Sequence, residues 1–158
     1  MKSIKRITTS YDQLEDRLRL AILDSEEQIF SLWLSRRLAV WMVKALVGWL
    51  RKSAGDESDQ LHAWHQEVAA GTREATAPVV VMDVFDQHLV AALDLHQGSE
   101  HCRLIFRWAE GEGAAITFCV SELRQWLGIL YGVCQNAEWY DPVWPSWITF
   151  PPHLGAVQ

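Results

Sequence analysis

The sequence predicts an α+β fold: antiparallel β-meanders packed against helices, as two similar β-β-β-α halves with a short extra helix between them. Three observations carry this. Arg17 to Ser35 and Arg103 to Ser121, 86 residues apart, share one pattern of alternating apolar residues. Each alternation is broken midway by a short polar turn. Each then gives way to apolar spacing of helical period.

The elements follow in order. Ser3 to Thr8 reads as a first strand. Leu18, Leu20 and Ile22, then Phe30, Leu32 and Leu34, have the period of two that puts one face of a strand in a core. Asp24-Ser25-Glu26-Glu27 is the turn between them, so the pair is a hairpin. Ser35 is a suitable N-cap, because a hydroxyl accepts from the free amides of a first helical turn. The helix Arg36 to Lys52 carries one narrow polar strip, Arg37, Lys44 and Arg51, and is apolar elsewhere. A helix of this kind must be covered on more than one side. The reading is a central helix at an intramolecular or homodimer interface, with Trp41, Lys44, Trp49 and Arg51 as interface residues. A membrane surface fits less well, since interfacial helices carry a broader polar face.

Residues 1–55 form the first half, and a linker then leads to a connecting helix at about 56–71. Leu61, Trp64, His65 and Val68 recur at helical spacing as its inward face, with His62 exposed and His65 half-buried; Gly71 ends the pattern. The second half spans about 78–137. Its strand His88 to Leu95 ends at the turn Gln97-Gly98-Ser99. Leu104, Phe106 and Trp108 face Ile116, Phe118 and Val120 across Glu110-Gly111-Glu112-Gly113. Ser121 is expected to cap a helix over Glu122 to Ala137, which buries Leu123, Trp126, Leu127, Leu130 and Cys134. Gly128 and Gly132, one turn apart, are expected to allow a close helix approach.

Composition narrows the function. With 49% apolar and 22% charged residues, a disordered chain is excluded. The formal charge is −6, and a nucleic-acid binder ordinarily shows a basic footprint. Residues 1–55 hold ten Lys/Arg and six Asp/Glu, whereas the remainder holds four and fourteen, a split that can steer a partner. No apolar run is long enough for a transmembrane helix. Three cysteines and no apolar leader near Met1 point to a reducing cytoplasm.

Catalytic motifs such as GxSxG, a P-loop, GxGxxG or HExxH are absent. His62 and His65, three apart on a helix, are weak candidates for a metal, needing further ligands from Glu67, His96, His101 or Cys102. His101 and Cys102 adjoin on a strand and so point to opposite faces. Asp83, Asp86, Asp94, Glu110 and Glu112 have no spacing that demands convergence. No metal and no cofactor is expected.

The C-terminal segment, 138–158, is the oddity. It reads EWYDPVWPSWITFPPH over 138–153, with four of the five prolines. It is too apolar for an ordinary disordered tail and must lie on something: its own domain, a partner, or a ligand. Trp139, Tyr140, Trp144, Trp147 and Phe150 are the candidate contact residues, because rigid aromatic anchors dominate binding hot spots. The chain is thus expected to be a single domain, 1–158, acting as a non-catalytic interaction or assembly protein. It is expected to be homodimeric, with an unidentified protein partner docked through apolar aromatic surface. A small-ligand module with an aromatic pocket under the C-terminal strap is the alternative, and an enzyme with a dispersed site the second.

Overall fold

A computed structural model describes residues 1–55 and 57–149. The first half runs β1 (Lys2–Asp12), β2 (Arg17–Asp24), β3 (Ile29–Leu34) and α1 (Arg36–Ala54). The connecting helix is α2 (Asp59–Thr72). The second half runs β4 (Gln87–Leu89), β5 (Ala92–Gln97), β6 (His101–Ala109), β7 (Glu112–Cys119) and α3 (Val120–Asn136). A last turn of helix, α4 (Ser146–Thr149), follows. The α+β class and the repeated layout are those read from the alternation.

One curled mixed sheet holds all seven strands in the order β4-β3-β2-β1-β7-β6-β5. Within each half the pairing is antiparallel, with Leu20 opposite Leu32 and Leu104 opposite Ile116. Two short parallel seams join the halves: Lys2 and Ser3 with Ala114 and Ala115, and Ser31 to Trp33 with Gln87 to Leu89. β4 and β5 are two parts of one run that changes neighbours. Val90 N–H donates to Trp33 O and the adjacent Ala91 N–H to Arg107 O. The sheet therefore curls until its two ends are consecutive stretches of chain.

Leu18, Leu20 and Ile22 of β2 and Leu104 and Phe106 of β6 lie on the buried side. The opposite side of β2 is also covered, because Ala21 and Leu23 pack under Val79 and Val81. The β2–β3 turn is held by Asp24, whose Oδ1 accepts from the amides of Glu26 and Gln28. The β6–β7 turn needs Gly111, whose φ of +73° is strained for other residues.

Each main helix packs across onto the other half. Trp49 of α1 donates from its indole to Gly98 O, 2.9 Å away just beyond β5. Trp126 of α3 donates to Thr9 Oγ1 of β1 at 3.1 Å and stacks on Phe118. The second layer that α1 requires is thus the chain's own second half. Trp49 lies in this core, and the exposed strip of α1 carries Arg37, Trp41, Lys44, Arg51 and Lys52.

Local details differ from the sequence expectation. Ser35 caps α1, accepting from Leu38 N–H. Ser121 does not cap α3: the helix starts two residues earlier, at Val120, and the Glu122 carboxylate accepts from Cys119 N–H. Gly128 faces α2, where an added Cβ would meet Gln66 Nε2 at 3.5 Å, but Gly132 adjoins open space and mediates no close approach. Among the described residues no helix is long and apolar enough to cross a membrane.

Candidate functional site

α2 is turned opposite to its hydrophobic pattern. His62, Ala63, Gln66 and Ala69 face inward, while Leu61, Trp64 and Val68 are exposed, Trp64 by 55%. The expected position of His62 is corrected accordingly, since it is buried, whereas His65 is half-buried beside Trp64 as expected. The inversion has a cause in α3. Gln66 Nε2 donates to Arg124 O at 2.7 Å, and Arg124 donates from Nη2 to His62 Nδ1 at 2.9 Å. Buried polar groups that find such partners can replace apolar packing.

Arg124 does not stand out in the sequence, where it reads as one polar residue in an amphipathic helix. It is only 3% exposed. Its guanidinium lies 5.2 Å from the Trp147 ring centroid, and Trp147 stacks on His62 at 4.8 Å. Because arginine can only donate, His62 Nδ1 accepts, and the imidazole is neutral with its proton on Nε2. Burial, with the Arg124 charge beside it, holds the His62 pKa below its ordinary 6.5. Burial likewise lowers that of Arg124, against the pull of Glu57.

The His62 shift has a pH signature. The unfolded chain takes up a proton on His62 that the folded chain resists. This contribution is complete above about pH 6.5 and is lost as pH falls, by at most about 1.4 kcal/mol per pH unit. Urea unfolding at pH 7.5 and 5.5 is expected to show a smaller pH difference for His62→Gln than for wild type. An equal difference would remove His62 as the titrating group.

Beside Arg124 lie two neighbouring spaces that share part of their walls. A cavity of about 160 Å³ is bounded by Leu50, Glu57, His65 and Arg124. A cleft of about 600 Å³ is bounded by Val68, Ser99, His101, Cys119 and Ser121. Ser53, His65, Val120 and Arg124 line both. Glu57 Oε1 is 3.1 Å from His65 Nε2 without the alignment of a hydrogen bond.

The other candidates do not converge. Cys102 is buried on the far side of its strand from exposed His101, and burial pushes its thiol up to about 11. Cys134, within α3, is raised likewise to about 11. Asp94 pairs with Arg107, and Glu112 accepts from the Trp108 indole. Among the described residues no group of three or more His, Cys, Asp or Glu side chains is placed to hold a metal ion.

Within the C-terminal segment, residues 138–149 fold back on their own domain. Glu138, with φ of +59°, reverses the chain after α3 while Trp139 N–H donates to Cys134 O. Trp139 then packs edge-on to Tyr11, Trp144 on Tyr131, and Trp147 on His62. Arg36 grips Asp141 through two hydrogen bonds. Trp139, Trp144 and Trp147 are therefore buried within the chain, and Tyr140 is exposed. Phe150 lies outside the described residues.

In comparisons with known proteins, no family model, no curated protein and no solved structure matches this chain.

Proposed function

We propose that the protein is a non-catalytic interaction protein that assembles with a second copy of itself, and that α2 rather than the C-terminal tryptophans is its docking surface. The observation that carries this reading is the outward apolar stripe Leu61, Trp64 and Val68. Contiguous exposed apolar surface centred on an aromatic residue is what protein contacts use. Charge favours a second copy as the occupant. α2 carries two carboxylates, Asp59 and Glu67, and no lysine or arginine, whereas the exposed strip of α1 offers Arg37, Lys44, Arg51 and Lys52 around Trp41. A two-fold pair can set α1 of each copy against α2 of the other. The reading takes a reducing cytoplasm as its compartment, in keeping with three free thiols.

Sedimentation velocity tests it. Wild type is expected to form dimers that weaken as salt rises. Trp64→Glu and Lys44→Glu are each expected to raise the dissociation constant by about tenfold or more. Both sites are exposed, so folding stability should shift by less than about 0.5 kcal/mol. A wild-type monomer at concentrations up to about 1 mM would sink the reading, as would a dimer indifferent to both substitutions.

A further inference from the structure

We propose that the cavity between Arg124 and Glu57 binds a small zwitterion, a molecule with a carboxylate and an ammonium group a few bonds apart. This proposal does not rest on the association proposed above, although Val68 borders both surfaces.

Arg124 is the first support. Its side chain is almost wholly enclosed, yet no carboxylate among the described residues lies within ion-pair distance. Its fork offers five N–H groups. Nη2 meets His62 Nδ1 at 2.9 Å and Nη1 reaches His62 O at 3.4 Å, while Nε has no partner. An enclosed cation without a bonded counter-ion is costly to keep. A carboxylate entering the cavity would supply the counter-ion, bonded in the planar geometry a guanidinium favours. α3 begins at Val120, which lines the same cavity, so the positive end of the helix reinforces the preference for a negative group there.

Glu57 is the second support. Its side chain is 11% exposed and lines the same space; Oε1 lies 3.1 Å from His65 Nε2 but accepts no aligned hydrogen bond, so an ammonium group would share the carboxylate with that imidazole. A simple anion placed on Arg124 would face this carboxylate, and a simple cation placed on Glu57 would face the guanidinium. An occupant bearing both charges meets both walls. The volume agrees, since 160 Å³ corresponds to about five water molecules of liquid, the scale of an amino-acid head. A side chain on the occupant would lie toward the neighbouring 600 Å³ cleft, which Val68 borders.

Isothermal titration calorimetry on the full chain tests this with L-alanine, L-leucine, propionate and propylamine as probes. The two amino acids are expected to bind wild type at least about tenfold more tightly than propionate or propylamine. Glu57→Gln is expected to weaken the amino acids by a similar factor without weakening propionate. Arg124→Met is expected to abolish binding of both. Should that variant fail to fold, Arg124→Lys and the Glu57→Gln arm decide the matter, the lysine keeping the charge but losing the fork. No amino-acid binding at millimolar concentration would overturn the proposal. So would propionate binding as tightly as alanine, which would define a plain anion site, or amino-acid binding indifferent to Glu57→Gln.

Discussion

Trp147→Ala is expected to destabilise the folded protein by about 3–5 kcal/mol, measured by urea unfolding followed through the remaining tryptophans. Trp147 is 1% exposed, its ring stacks on His62, and the Arg124 guanidinium sits over it. Truncation would remove a large apolar surface from the core and leave a cavity beside two polar side chains. It would also strip Arg124 of the ring face that attracts its charge. The segment 139–149 is joined to the domain through Tyr11, Arg36, Tyr131 and His62, so losing its deepest anchor should loosen the whole strap. A cost below about 1 kcal/mol would show that the segment contributes little to the core and would return its tryptophans to the role of partner contacts.

Trp126→Ala is expected to cost a similar amount, about 3–5 kcal/mol, for a different reason. Trp126 joins the halves: its ring stacks on Phe118 of β7 and its indole N–H reaches Thr9 of β1. Truncation creates a cavity and also leaves the Thr9 hydroxyl without that donor. Trp126→Phe separates the two effects, since most of the apolar volume stays. It is expected to retain more than half of the lost stability. A Phe variant as unstable as the Ala variant would mean that the indole hydrogen bond, rather than the ring's packing, holds the two halves together.

The two hairpins are legible in the sequence because a strand with one buried face writes its pattern locally. Leu18, Leu20 and Ile22 need no knowledge of distant residues to be read. α1 is legible for the same reason, its strip being too narrow for a surface helix. α2 is not. Leu61, Trp64 and Val68 form the better apolar face by any local measure, but the chain buries His62 and Gln66 because Arg124 lies about sixty residues further on and bonds to both. Local periodicity carries no trace of such a partner. Arg124 escapes notice on the same account, and a charged residue among Leu123, Trp126 and Leu127 is the one available signal. The tail is half legible: Trp139, Trp144 and Trp147 announce that the segment must lie against a surface, but nothing in their spacing says whose.

The seams of the curled sheet bear on how the chain is made. Lys2 and Ser3 pair with Ala114 and Ala115, and β3 waits for Gln87 to Leu89. As the polypeptide leaves the ribosome, the first meander emerges with both outer strands lacking neighbours, and α1 emerges without the half that covers it. Unpaired strands invite pairing with other chains, and closure over long sequence separations is slow. The first half is therefore dependent on the second during synthesis. A nascent chain stalled before residue 114 is expected to be protease-sensitive and to be held by chaperones until the closing strands arrive.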